Sequence, residues 1–213
     1  MAKNESNSIH RNTEQNIMAA AEELFLEKGY RAATTVKIAE KAGVTRAMLH
    51  YYFRTKEQIF IKVLDKNQQE LFSFVRPIMT MNTENAWETI KGAISLFYDF
   101  LNSHRRYAPM IYDVQSQNPE LLSRYKKNTL EILGSLVAKH KEMLEKEMEA
   151  GRMNKVDVFQ LFYNMLSMCA ITFLSVHAIE DLFSHTPERI DEFVAKRKEE
   201  IIETLYLRLY GKT

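Results

Sequence analysis

Arg46, His50, Tyr51 and Tyr52 are four hydrogen-bond donors within seven residues, and a short helix there would carry them on one side. Arginine can grip guanine with two parallel bonds, and the small Ala47 between them would let a helix come close to thymine methyls or to a phosphodiester backbone. Thr45 is a good N-cap for such a helix. Its apolar residues are Met48, Leu49 and, at the end, Phe53. At 3.6 residues per turn these cannot all face inward equally. Leu49 and Phe53, four apart, share the core face, which leaves Arg46, Ala47, His50 and Tyr51 for a groove.

Such a helix needs a second one to brace it. Just upstream, Thr34-Thr35 starts a short helical pattern with Ile38 and Ala39 inward, and Ala42-Gly43-Val44 breaks it. Further upstream a helix from about Thr13 places Ile17, Ala20, Ala21, Leu24 and Phe25 on one stripe and stops before Gly29. Downstream, Thr55-Lys56-Glu57-Gln58 has the form of a capping box. The helix it opens has no glycine or proline before Pro77, so one continuous rod is expected from Thr55 to Arg76. Two short helices about a glycine turn form a helix-turn-helix, the unit that lays its second helix in the major groove of DNA.

The segment 29–59 resembles the DNA-binding domain of the TetR family of bacterial transcriptional regulators. Gly29-Tyr30, Thr34-Thr35, Ile38-Ala39, Ala42-Gly43-Val44-Thr45, Tyr52-Phe53 and Lys56-Glu57 all fall where that family has them. The resemblance implies that Thr34, Thr35, Thr45, Tyr52 and Lys56 hold phosphates, which positions a domain without reading sequence. His50 stands where the family often has tyrosine, and Ala47 where it often has glycine. Both lie on the reading surface, so they bear on which operator is recognised.

The chain has 213 residues, 46% of them apolar, with six Gly, four Pro and no strand-like alternation, which points to an all-α protein. Residues 1–62 hold ten Lys and Arg against seven Glu, a net of +3 in a chain whose total is +1, which leaves −2 for the rest. A basic head on a slightly acidic body suits a DNA-binding domain joined to a separate body. The expected organisation is a disordered tail at 1–12, the helix-turn-helix domain at 13–54, and a helical effector-binding and dimerisation domain at 55–213, about nine helices in all. In the body, helix starts are expected at Asn82-Thr83, Asn118-Pro119-Glu120 and Thr186-Pro187-Glu188.

The lone Cys169 excludes an internal disulfide and any cysteine-based zinc site. The first twelve residues are too polar for a signal peptide. Val158 to Ile179 is apolar nearly all round, but Gln160, Asn164, Ser167, Thr172, Ser175 and His177 interrupt it. A helix buried on both sides explains that better than a membrane span, and a cytoplasmic location follows. No phosphate loop, nucleophile elbow or His-Glu-x-x-His occurs, so no enzyme and no cofactor is expected. His177 and Asp181, four apart, could ligate a metal, but an exposed or core-edge pair is the preferred reading and no metal site is expected.

The body is rich in methionine and aromatic residues. Trp87, Phe97, Tyr98, Tyr112, Tyr125, Phe162, Met165 and Met168 lie on helices that line the ligand cavity in similar regulators. Such side chains make plastic apolar walls. Asn164 and Tyr112 are the expected polar anchors in a cavity of a few hundred cubic ångströms. The partners implied are a palindromic operator in double-stranded DNA, a small apolar or amphipathic effector, and a second copy joined through the last two helices. The alternative is an effector-independent DNA-binding protein of the same fold.

Overall fold

The computed structural model describes residues 2–80, 85–183 and 187–212. Among them are nine α-helices and no strand: α1 (Ala2–Ala32), α2 (Thr35–Lys41), α3 (Arg46–Tyr52), α4 (Lys56–Thr80), α5 (Ala86–Ser103), α6 (Tyr107–Gln117), α7 (Ser123–Glu149), α8 (Val158–Phe183) and α9 (Pro187–Tyr210). A 3₁₀ turn, Pro119–Leu122, precedes α7. The chain divides into two compact units, Met1–Glu70 with Met110–Lys126, and Leu71–Pro109 with Lys127–Thr213.

In the first unit the stripe of α1 is buried at Ile17, Ala21 and Phe25; α2 packs against both α1 and α3, and Ile38, Ala39, Leu49 and Phe53 are buried as well. The Phe60 ring meets Phe25 edge-on at 5.0 Å and Tyr30 at 4.8 Å between centroids. Ile59, Phe60, Val63 and Leu64 of α4 are all buried in this core. The units therefore do not divide at the expected 54/55 boundary. The first half of α4 supplies apolar surface that the three preceding helices need to be covered.

Several local outcomes differ from expectation. Residues 2–12, expected as a disordered tail, are helical and continuous with α1, since no glycine or proline interrupts the chain before Gly29. Gly29 itself kinks α1 with φ 76° and ψ 164°, a backbone that L side chains rarely adopt. A Cβ there would also lie 3.2 Å from Asp113 Oδ2. α4 continues through Pro77 to Thr80, so that proline is tolerated inside the helix at the loss of one backbone bond. Asn118-Pro119 opens the 3₁₀ turn and not a long helix, and the Asn118 side chain makes no capping bond. The starts expected at Asn82-Thr83 and at Thr186 lie outside the described residues. α5 is instead capped by Asn85, whose Oδ1 accepts from the Trp87 N–H at 2.9 Å.

In the second unit α8 packs against α5 and α9. Tyr98 and Phe173 lie against each other in the core, and the Tyr98 hydroxyl donates to the Val194 carbonyl at 2.6 Å. Burial pushes that phenol's pKa upward. Cys169 is buried in the same core, which pushes its thiol up to about 12. By length and composition alone, Val158–Val176 is apolar enough to cross a membrane. The expectation of burial on both sides is not met within one chain. Leu161, Met165, Cys169, Phe173 and Val176 face the core, while Phe159, Tyr163 and Ile171 stand exposed on the opposite side.

Candidate functional site

Two threonines start the two short helices of the first unit. Thr34 Oγ1 accepts the Lys37 N–H at 3.3 Å, and Thr45 Oγ1 accepts the Met48 N–H at 3.1 Å. Each cap thereby satisfies an N–H left over at a helix start and keeps its own hydroxyl proton. Between the helices Gly43 takes φ 67°, and the Val44 N–H returns to the Ala39 carbonyl at 3.0 Å. That turn sets the angle between α2 and α3.

Leu49 is 1% exposed and Phe53 is buried at the C-cap, so α3 is held by the two side chains expected. Arg46, Ala47 and His50 are exposed on the outer side, Tyr51 is 75% exposed and Tyr52 is half-buried. Their rings meet edge-on at 5.2 Å. Met48 is 44% exposed and shares this surface, although it was not among the expected contacts. Its place one residue before Leu49, a 100° rotation, was the available signal. Thr34 is exposed and Thr35 half-buried at the start of α2.

Lys56 is held more firmly than a free phosphate ligand would be. Its Nζ donates to the Tyr30 carbonyl at 2.9 Å and lies 4.0 Å from the centre of the Tyr30 ring. Partial burial lowers its pKa, against the opposing effect of Glu57. The Tyr30 hydroxyl in turn donates to Glu57 Oε1 at 3.1 Å. An ammonium has three donors, so the bond to Tyr30 orients Lys56 and leaves capacity for another oxygen. The capping box forms in modified fashion. Thr55 Oγ1 accepts the Gln58 N–H at 3.3 Å, while Gln58 Oε1 accepts the Arg54 N–H at 2.9 Å.

The second unit contains a cavity of about 90 Å³, smaller than the few hundred expected. Three of the expected wall residues, Phe97, Phe162 and Met165, line it, together with Ile90, Val137 and Leu205. The other six do not. Trp87 meets Tyr206 at 4.9 Å in a separate surface groove. Tyr98 is locked in the core by Val194, Met168 is half-buried beside the wall residues without lining it, and Asn164 is exposed on the outer side of α8. Tyr112 is 65% exposed, and it belongs with Tyr125 to the first unit, where the Tyr125 carbonyl accepts from Gln68 at 3.2 Å. Among the described residues the polar side chains on the cavity wall are Thr89 and His140, neither expected. A histidine on the apolar stripe between Val137 and Leu144 was the signal for the latter.

Among the described residues no group of three His, Cys, Asp or Glu side chains lies close enough to hold a metal ion. The side chains of His177 and Asp181 lie outside the described residues.

Residues 17–63 match the family of bacterial regulatory proteins described as the tetR family. The chain is 30% identical over 97 residues to the transcriptional activator FasR of Mycolicibacterium smegmatis, a match covering 46% of this chain and 44% of that one. It therefore spans less than half the length of that relative. It is 25% identical over 187 residues to IcaR, a negative transcriptional regulator of the icaADBC biofilm operon in Staphylococcus aureus, covering 87% and 93%. A solved ketosteroid transcriptional regulator of Mycobacterium tuberculosis superposes with a TM-score of 0.65 at 18% identity, over 90% of this chain and 93% of that one. That last likeness is one of fold.

Proposed function

As residues 17–63 belong to the tetR family of bacterial regulatory proteins, we propose that this protein is a homodimeric transcriptional repressor in the cytoplasm, released from a palindromic operator by a small apolar or amphipathic molecule. The observation that carries the DNA-binding reading is the division of α3. Leu49 and Phe53 anchor it, while Arg46, Ala47, Met48, His50 and Tyr51 are turned outward on a helix short enough to enter a major groove. Thr34, Thr35, Thr45, Tyr52 and Lys56 would hold the flanking phosphates, and Arg46 and Tyr51 would reach base edges. Selection from random DNA tests this: a preferred inverted repeat is expected, and no preference for any palindrome would sink the reading.

The exposed strip Phe159, Tyr163 and Ile171 on α8, with Leu207 on α9, supports pairing with a second copy through these helices. Two heads would then be spaced about 34–36 Å apart, or a small multiple of that, to meet successive turns of one DNA face. A monomer by light scattering at micromolar concentration would refute it. Repression is favoured by the relative matched over nearly its whole length, a negative regulator; FasR is an activator.

The apolar cavity supports effector binding, with Thr89 and His140 as the polar groups able to orient a ligand. Among the described residues no α4 side chain lines it. The route to α4 would run through α5, whose Phe97 lines the cavity and whose Phe100 meets Phe74 of α4 edge-on at 5.5 Å. An effector dissociates the complex only if it prefers the conformation that does not fit DNA. The small volume is what favours the second reading, a regulator of the same fold without an effector. Met165→Trp, which fills the cavity, separates the two. Operator affinity should persist while any release produced by a panel of medium-chain fatty acids and alkylbenzenes is lost. Release unchanged in that variant places the effector elsewhere, and no release from the parent protein favours the second reading.

A further inference from the structure

The ends of α5, α7 and α9 enclose a second, open groove of about 580 Å³ that the reading above does not use. Its walls include Trp87, Tyr206, Tyr210, Glu147 and Arg152. Tyr206 and Tyr210 stack at 5.1 Å with 29° between their planes, and Trp87 stands at 67° to the first and 83° to the second. Two parallel phenols at a steep angle to an indole make a corner of electron-rich rings. Tyr206 and Leu207 are successive residues and point about 100° apart, so this corner is distinct from the face of α9 that carries Leu207.

The charge beside the rings is a carboxylate. Glu147 is 23% exposed and is held by Arg152, which is 62% exposed, with Nε at 2.9 Å and a terminal nitrogen at 2.7 Å. The carboxylate is thus the fixed member of the pair and the guanidinium the loose one. Exposed ion pairs of this kind are weakly held. Burial raises the Tyr210 phenol's pKa, and the negative charge of Glu147 adds to that rise. An anion is disfavoured because it would meet the Glu147 carboxylate, the more buried and more firmly placed charge beside the rings. A cation with apolar arms, by contrast, gains ring faces and a carboxylate together.

We propose that this groove binds an organic monocation with an alkylated ammonium head, which lies against Trp87, Tyr206 and Tyr210 and displaces Arg152 from Glu147. The groove shares no lining residue with the apolar cavity.

Trp87 is the only tryptophan in the chain, so its emission reports this groove directly. The intact protein is titrated with choline chloride, with its uncharged isostere 3,3-dimethylbutan-1-ol, and with sodium chloride at matched ionic strength; calorimetry is run in parallel. A saturable response to choline is expected, with the isostere about tenfold weaker or worse. Glu147→Gln should weaken choline binding by about tenfold, and Arg152→Gln, which removes the competing cation, should tighten it. Arg152 is exposed and Glu147 half-buried, and unchanged thermal melts confirm that both variants fold. The proposal is overturned if choline gives no saturable signal by either method, if the isostere binds equally well, or if Arg152→Gln weakens binding.

Discussion

The short helix α3 and the cavity-lining part of α8 use the same device in opposite senses. In α3 two apolar side chains, Leu49 and the C-cap Phe53, bury one face, and Arg46, His50 and Tyr51 of the outer face are left exposed. In α8 the inner face carries Met165 and Phe162 towards a void in the core, and the outer face is itself apolar at Phe159, Tyr163 and Ile171. The first arrangement suits a partner that is polar, charged and much larger than the protein's own surface. The second suits two apolar partners, one small enough to be enclosed and one as extensive as another helix. A helix face thus reveals its partner's chemistry by what it leaves uncovered.

The sharpest way to break this comparison is to remove the anchor of α3. Leu49→Ala deletes a fully buried side chain and should cost about 2–5 kcal/mol of stability in denaturant unfolding. A loss near zero would mean that α3 is not pinned by its inner face. The next effect belongs to the outer face. Arg46→Ala should leave unfolding unchanged but weaken operator binding by about 1–3 kcal/mol and relax preference at one base pair. Lys56→Ala should weaken all sequences alike and flatten the salt dependence, since its contact would be to phosphate. Selective loss at one base in the second variant, or uniform loss in the first, would exchange the assigned roles.

The smallest effect concerns the clasp that holds Lys56. Its own backbone N–H, then the Thr55 and Tyr30 hydroxyls and the Lys56 charge, hold the Glu57 carboxyl below the usual carboxylate range. A depressed carboxyl contributes stability that is present above its unfolded pKa and lost as pH falls through its folded value. Glu57→Gln should therefore flatten the acid limb of the stability profile by lowering stability at neutral pH, with little change at a pH low enough to protonate the parent carboxyl. An acid limb identical in both proteins would show that the clasp carries no linkage. Cys169 offers a check on the α8 core: with its thiol pushed up to about 12 and buried, iodoacetamide should label it only on global unfolding.

Much of the head was legible because its determinants are local. The caps at Thr34 and Thr45 act over three residues, the turn at Gly43 needs one positive φ, and Leu49 and Phe53 are one helical turn apart. Each of these signals lies within a window shorter than the element it defines. The body was legible in helix composition but not in which face meets which neighbour. Tyr112 and Tyr125 belong to the first unit, and Asn164 points away from the cavity. Nothing within a helical turn of those residues distinguishes the two faces of their amphipathic helices.

By itself, the order of residues determined an all-α chain, a helix-turn-helix near its start, and the side chains presented by α3 apart from Met48, because capping, helical period and glycine backbone freedom operate over a few residues. Only tertiary structure decided that α4 completes the core of the head, that Thr89 and His140 reach the cavity, and that Trp87 meets Tyr206 and Tyr210 from 119 or more positions away. Those outcomes depend on which apolar faces cover one another. Burial is non-directional and scales with the area removed from water, so it selects among pairings that no local pattern can rank.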